Sequence, residues 1–153
     1  AMRERELIMN FELPKLGKIL EVLLEVAFQI SGADIGSIMF YNKNKDELTI
    51  KVAKGLSEEV IRNARVRSGN GISGIAAREG RSFLINDDTQ DNRIKPYLNR
   101  PNLSSAMVLP LKVENEVLGV MNLGALRSSA ARFNAENLSV MHRLVDLASI
   151  AIG

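Results

Sequence analysis

The sequence predicts an α+β fold in which helices near both ends of the chain cover an antiparallel sheet. Three observations support this class. Apolar residues repeat at helical spacing over residues 13–30 and again after Asn134. Two pairs of strand-like segments are each joined by a short polar turn, which is typical of β-hairpins. The helical segment between the hairpins is short for the crossover of a parallel βαβ unit, which disfavours a doubly wound fold.

The composition is that of one globular domain and excludes several classes of function. Of the 153 residues 46% are hydrophobic, and 20 basic residues nearly balance 18 acidic ones. This balance does not provide the basic surface that nucleic acids require, and 5% aromatic residues are too few for a base-stacking platform. The chain has neither an apolar run long enough to span a membrane nor an export signal. We therefore expect a cytoplasmic protein without nucleic-acid or membrane partners.

The first half of the chain predicts a long helix, a hairpin and a short helix. The apolar seam of residues 13–30 forms the helix, which ends near Ser31. Residues 35–41 and 48–53 predict two strands that are joined by the polar turn NKNKDE. The segment SEEVIRNA follows as a short helix with Ser57 as its N-cap.

The second half predicts a short helix, a strand, a second hairpin and a terminal helix. The helix is GISGIAAREG, the strand is residues 81–86, and a long polar connection, DDTQDNRIKPYLNRPN, follows them. Residues 105–113 and 117–126 predict the hairpin. Pro110 lies inside its first strand and has no N–H to donate, so it must occupy an edge or a bulge. Asn134 caps the terminal helix.

Three glycines before the short helix, Gly69, Gly71 and Gly74, match the spacing G-x-G-x-x-G of dinucleotide-binding turns. That interpretation requires a buried strand before the glycines and a crossover helix after them. The preceding segment EEVIRNARVRS has too few apolar residues for such a strand. The alternative is structural: the first two glycines allow unusual backbone angles, and the third allows close packing of the helix. We favour this alternative.

The order of several elements resembles that of GAF domains, from about Leu13 to Ile152. The matching features are a glycine-bearing turn and helix, a strand that ends in Asp, a Ser-rich strand with a Pro near its end, a strand that opens with Gly, and a Phe before the last helix. In this sequence they are residues 71–77, residues 83–87, Ser104, Ser105, Pro110, Gly119 and Phe133. The predicted organisation is a flanking or linker helix at 1–12 and a single GAF domain at 13–153. Because the terminal helix runs to the last residue, we expect the domain to come from a longer signalling protein.

The resemblance implies a central antiparallel sheet of about six strands. Its terminal helices would pack on one face, and short helices and loops would enclose a ligand pocket on the other. GAF domains usually serve as sensory or dimerisation modules that control an attached output domain. The resemblance therefore implies a regulatory domain rather than an enzyme. The residues agree, because they show no activated nucleophile and no convergent acid–base pair.

This sequence lacks most of the residues that known GAF domains use to bind their ligands and cofactors. Cyclic-nucleotide-binding members carry an Asn-Lys-Phe-Asp-Glu motif, of which Phe133 matches the Phe, but the Lys and Asp positions fall at Leu126 and Asn137. Cyclic-nucleotide binding is therefore a less favoured alternative. Covalent bilin attachment and methionine sulfoxide reduction both need cysteine, and the chain has none. His142, the single histidine, lies on the terminal helix, so we do not expect haem or a metal. The ligand itself stays unknown.

The predicted ligand-binding residues lie in the polar connection and on two strands. Loops on a rigid scaffold concentrate binding groups, and a tyrosine there could stack on a ring. The candidates in the connection are Asp87, Asp88, Asp91, Asn92, Arg93 and Tyr97, and the candidates on the strands are Ser105, Met107 and Asn122. The alternative for the connection is a solvated loop with Asx turns. Asn122 either faces solvent or needs a buried partner.

Two functional hypotheses follow. In the first, a small molecule binds beneath the connection of residues 87–97 and alters the packing of the terminal helices in a homodimer. In the second, the domain is a ligand-free dimerisation module whose pocket is filled by its own side chains, such as Met39, Met107 and Met121. An enzyme is the weakest alternative.

Overall fold

The computed structural model of the chain describes residues 2–99 and 102–153, with side chains from Lys15 onward. It contains four α-helices, six strands and one 3₁₀ helix within these residues. In chain order they are α1 Met2–Ser31, β1 Ile35–Asn42, β2 Glu47–Lys54, α2 Glu58–Asn63, β3 Val66–Arg67, α3 Gly71–Glu79, β4 Phe83–Asn86, the 3₁₀ helix Lys95–Asn99, β5 Leu103–Val113, β6 Glu116–Leu126 and α4 Ala135–Ile152.

The six strands form one antiparallel sheet in the order β3-β2-β1-β6-β5-β4. The predicted α+β class and the sheet of about six strands are therefore confirmed. The two hairpins β1–β2 and β5–β6 lie side by side, because β1 pairs with β6 at the centre of the sheet. The short strands β3 and β4 form its two edges.

Helices α1 and α4 cover one face of the sheet. Their buried side chains pack with those of the central strands into a helix-side cluster, which includes Leu20, Leu23, Ala27, Ile38, Met107, Met121, Met141 and Val145. The predicted packing of the terminal helices on one face is confirmed. The predicted flanking helix runs into α1 without a break, and its side chains lie outside the described residues.

Helix α3 and the segment of residues 87–99, here named the lid, cover the other face. They close over a lid-side cluster that includes Met39, Leu48, Ile72, Ile75, Phe83, Ile94, Leu98 and Val120. Side chains of the domain itself thus fill the space between α3, the lid and the sheet. Of the three methionines named in the dimerisation hypothesis, Met39 belongs to this cluster, whereas Met107 and Met121 belong to the helix-side cluster.

Local signals in the sequence set most of the element boundaries. Ser57 caps α2 through a hydrogen bond from the Val60 N–H at 3.2 Å, as predicted. Asn134 and Asn137 form a reciprocal capping box at the start of α4, at 2.9 and 2.8 Å. Gly80 ends α3 in the left-handed conformation, with φ of 63°.

The glycines before α3 shape a tight turn, as the structural interpretation predicts. Gly69 and Gly71 have φ of 85° and 62°, and the Gly69 N–H donates to the Gly74 carbonyl at 2.7 Å. A Cβ on Gly74 would lie 2.3 Å from the Arg67 carbonyl oxygen, so the helix packs against the turn only because this side chain is absent. The turn follows the two-residue edge strand β3 of an antiparallel sheet, which is not the setting of a dinucleotide fingerprint.

A buried polar network fixes α3 to the centre of the sheet. Ser73 of α3 donates from Oγ to Asn122 Oδ1 of β6 at 2.8 Å, and Asn122 Nδ2 donates to Ser37 Oγ of β1 at 3.3 Å. All three residues are buried. Asn122 therefore does not face solvent but has the buried partners that its position inside an apolar strand requires.

The sequence missed β3 and the 3₁₀ helix, and it began β4 two residues early. Strand β3 has only two residues, and its pairing with β2 is a tertiary contact without a periodic signal. Pro110 lies in β5 beyond Val108, where the pairing with β4 ends, so the strand is locally an edge on that side. None of the helices in the described part of the chain combines the length and the hydropathy that a membrane-spanning helix requires.

Replacement of Asn122 by alanine should destabilise the domain by about 1–3 kcal/mol, because it leaves the buried Ser73 hydroxyl without its acceptor. The measurement is urea unfolding. The control is Asn92→Ala in the exposed part of the lid, for which we expect a change of about 0.5 kcal/mol or less. Equal stabilities of the two variants would contradict a stabilising network.

Gly74→Ala should also destabilise the domain, by about 1–3 kcal/mol, because the new Cβ would collide with the backbone at Arg67. Helix propensity alone predicts the opposite sign. Gly17→Ala in α1 is the matched control, since no atom lies within 4 Å of the new Cβ, and it should stabilise by about 0.5–1 kcal/mol. Thermal unfolding of both variants tests the prediction, and a stabilising Gly74→Ala would refute it.

Candidate functional site

The lid is tied to the end of the sheet by an ion pair at its first residue. Asp87 Oδ1 lies 2.7 Å from a guanidinium nitrogen of Arg127, which follows β6. Lys95 Nζ donates to the Asp87 carbonyl oxygen at 3.0 Å. The hydrogen bond and the charge of Arg127 lower the pKa of Asp87. The pair therefore weakens when acidification protonates this carboxylate.

Arg93 ties the middle of the lid to α3. One guanidinium nitrogen lies 2.9 Å from Glu79 of α3, and another lies 2.8 Å from Asp91 of the lid. These contacts raise the pKa of Arg93 and, with the backbone N–H of Arg93, lower the pKa of Asp91. Arg93 is thus a bridge between two elements that are separated in sequence.

Apolar contacts hold the lid more strongly than these ion pairs. Ile94 and Leu98 are buried in the lid-side cluster, and each contributes about 1.5–3 kcal/mol by burial. The ring of Tyr97 packs against the same cluster, and burial raises the pKa of its hydroxyl. The exposed ion pairs of the lid are weaker, because solvent screens them. The aliphatic side chains therefore anchor the lid, and the charged pairs add exposed contacts to α3 and to the end of β6.

An open cleft, here named the lid cleft, separates the glycine turn and α3 from the lid. Its volume is about 510 Å³, within the range of small-molecule sites. The lining residues are Gly69, Asn70, Gly71, Ile75, Arg78, Glu79 and Arg93. Asn70 occupies the N-cap position of α3 without a side-chain cap bond, so its amide group is not used there. The cleft therefore combines arginine, glutamate and amide groups beside one apolar side chain.

The structure gathers some of the predicted ligand-binding residues at this cleft and separates others from it. Arg93 lines the cleft, and Asp91 forms an ion pair with Arg93. Asp87 is paired with Arg127 instead. Asp88 and Asn92 are exposed, and the Asp88 N–H donates to Asn86 Oδ1 in an Asx turn, as the alternative interpretation predicts.

Two predicted site residues on β5 point away from the lid, toward the face that α1 and α4 cover. Met107 belongs to the helix-side cluster. Ser105 accepts a hydrogen bond at Oγ from the N–H of Phe133, a member of the same cluster, at 3.0 Å. Both side chains alternate with Ala106 of the lid-side cluster, because successive side chains in a strand point to opposite faces. Asn122 lies on the lid side, but its amide is engaged with Ser37 and Ser73.

Sequence reasoning missed the residues that α3 contributes to the cleft. Gly71, Ile75 and Arg78 are three and four positions apart, so they share one helix face. This spacing was visible in the sequence, but the short helix gave no sign of which face meets the lid. Glu79 was also missed, because its role depends on Arg93, which is 14 positions away.

Groups of three or more metal-ligating side chains do not occur among the described residues. His142 Nδ1 lies 3.3 Å from Ser82 Oγ, and Nε2 lies 3.6 Å from Asp146 Oδ2. None of these three residues lines the lid cleft.

The fold and the chain length match known GAF domains. The second GAF domain of DevS from Mycobacterium smegmatis is 27% identical, with a TM-score of 0.68 over 89% of this chain and 91% of that chain. The GAF domain of a phosphoenolpyruvate-protein phosphotransferase from Coxiella burnetii is 19% identical, with a TM-score of 0.74 over 90% and 82% of the two chains. NreA from Staphylococcus aureus, mutated in its nitrate-binding site, is 21% identical, with a TM-score of 0.62 over 82% and 95%.

Comparison with curated proteins gives no match. A family model does match: GAF_2, described as a GAF domain, aligns with residues 15–153. The match covers both hairpins, α3, the lid and α4, which are the elements that build the sheet and the cleft. The chain therefore belongs to the GAF domain family.

Proposed function

We propose that this GAF domain is a regulatory sensor that binds a small molecule in the lid cleft and controls an attached output domain. Structurally similar GAF domains come from signalling proteins, including the phosphotransferase of Coxiella burnetii. A nitrate-binding site in NreA is consistent with small-ligand binding by this fold. In this proposal the domain acts by binding rather than by catalysis. The attached output domain and the cytoplasmic location are predictions from the sequence.

The observation that carries the proposal is the double role of Arg93. Its guanidinium lines the lid cleft and also bridges Glu79 and Asp91. A ligand that binds Arg93 or Glu79 must compete with this bridge. Because the bridge is exposed and weak, its exchange for ligand contacts costs little. Occupancy of the cleft would therefore change the position of the lid.

The sheet offers a route from the cleft to the terminal helices. Ser73 of α3 is hydrogen-bonded to Asn122 of β6, and through it to Ser37 of β1. On the opposite face these strands contribute Ile38 and Met121 to the cluster that holds α1 and α4. A shift of α3 would thus reach the packing of both terminal helices, which in a homodimer would change the output.

A second candidate function, dimerisation without a ligand, is favoured by apolar side chains on the outer faces of the terminal helices. Leu147 and Ile150 of α4 are 65% and 77% exposed, and Val22, Ile30 and Val140 are also exposed. Exposed apolar groups that recur on two packed helices indicate an interaction surface. The two functions are compatible, since a sensor of this kind also needs a dimer.

A thermal-shift screen tests the sensor proposal. The panel contains cyclic nucleotides, nucleotides, amino acids and 2-oxo acids. A ligand at about one hundred times its Kd adds about 2.7 kcal/mol, which raises the Tm by several degrees. Arg93→Gln should reduce this shift by more than half, whereas Arg62→Gln, which removes an exposed arginine from α2, should leave it unchanged. A ligand shift that survives in Arg93→Gln would place the ligand elsewhere, and a flat panel would favour the second candidate.

Sedimentation velocity tests the dimer. We expect the wild-type domain to dimerise, and we expect Leu147→Lys combined with Ile150→Lys to weaken the dimer at least about tenfold, because two apolar contacts are lost. Val60→Lys, at an exposed apolar residue of α2, is the matched control and should not change the dimer. A wild-type monomer at high concentration, or equal effects of the two changes, would contradict an interface on α1 and α4.

A further inference from the structure

A second cleft, here named the turn cleft, lies on the other side of Arg78 from the lid cleft. It is bounded by α3, by the end of β1 and by the turn between β5 and β6, and its volume is about 420 Å³. Tyr41, Lys43, Ser68, Ala77, Arg78 and Val117 are among its lining residues. None of the residues predicted from the sequence to bind a ligand lines it.

Arg78 lines both clefts and carries a positive charge at their shared boundary. Its guanidinium lies over the glycine turn, with two of its atoms 2.6 Å from the place that a Cβ of Gly69 would take. The absence of a side chain at Gly69, which lines the lid cleft, leaves the room that the guanidinium occupies. Within the described part of the chain, no carboxylate lies at ion-pair distance from Arg78.

The charge of Arg78 also acts on Tyr41. It opposes the rise in the pKa of Tyr41 that the hydrogen bond to Asp46 causes. Tyr41 and Arg78 both line the turn cleft, so the charge of Arg78 acts on a group of the same cleft. A planar guanidinium with free N–H groups is suited to bind a carboxylate or a phosphate by two parallel hydrogen bonds.

Lys43 supplies a second positive charge, which a bound anion can contact. Its Nζ lies 3.2 Å from Glu116 Oε1, and both side chains are highly exposed. Such an exposed pair is weak, so a ligand can replace it at small cost. Beside these cations, Ala77, Val117 and Leu118 give the cleft an apolar, half-buried wall.

We propose that the turn cleft binds a small organic anion. Its carboxylate or phosphate lies against Arg78 and Lys43, and its hydrocarbon part lies against Ala77, Val117 and Leu118. This site goes beyond the proposed sensor site and does not require a ligand in the lid cleft. The two clefts share Arg78, so Lys43 and Arg93 are the residues that distinguish them.

Titration with hexanoate, followed by amide NMR shifts at low ionic strength, tests the proposal. We expect saturable shifts at Arg78, Val117 and Leu118, weaker binding of acetate, and no saturable binding of 1-hexanol. Arg78→Gln should weaken hexanoate binding at least about tenfold, because a charged hydrogen-bonding partner is lost. Lys43→Gln should weaken it several-fold, and Arg93→Gln, which changes only the lid cleft, should leave it within about twofold.

Three results would overturn the proposal. Hexanoate binding without saturation would show that the cleft is not a site for this class of anion. Equal binding of hexanol would show that the charge plays no part. A loss in Arg93→Gln as large as that in Arg78→Gln would assign hexanoate to the lid cleft instead. Both arginines are exposed, so the variants should fold, and their spectra report this directly.

Discussion

The constraint on which the rest of this structure depends is that β5 and β6 are buried on both faces. From Leu103 to Leu111 and from Gly119 to Ala125 every residue is buried. A sheet with such strands at its centre must be covered on both sides, because exposed apolar area costs about 25 cal/mol per Å². Helices α1 and α4 cover one face, and α3 and the lid cover the other. The elements that cover the sheet therefore determine where polar and charged side chains can lie.

Polar side chains occur in two settings in this arrangement, one buried and hydrogen-bonded and one exposed and ion-paired. At the centre, Asn122 satisfies its amide with Ser37 and Ser73, and the same bonds fix α3 on the sheet. Among the described side chains no charged group is buried, and at the rim of α3 and the lid Arg93 pairs with Glu79 and Asp91. Recognition of a charged ligand is consequently expected at the rim of the fold, beside α3.

The balance of forces on the lid suits a regulatory element. Buried aliphatic side chains keep it attached, whereas exposed ion pairs link it to α3 and to the end of β6. Exchange of one weak, solvent-screened pair for another costs little free energy, which a small ligand can supply. The same ion pairs depend on carboxylates with lowered pKa values, so their contribution is present at neutral pH and is lost as acidification protonates Asp87 and Asp91.

The sequence by itself determined the elements, their order and their class, because hydrophobic period, caps and turn glycines act over a few residues. It also distinguished the glycine turn from a dinucleotide site and identified the lid. Only the tertiary structure decided which face of each strand lies against α1 and α4 and which lies against α3 and the lid. The alternation of side chains along a strand defines two faces but does not show which elements cover each of them. For that reason the sequence could not assign Met107 and Ser105 to the face that α1 and α4 cover, and it missed Arg78. The partner of Asp87, 40 positions away at Arg127, was likewise beyond any local pattern, because it depends on β4 and β6 finishing at the same end of the sheet.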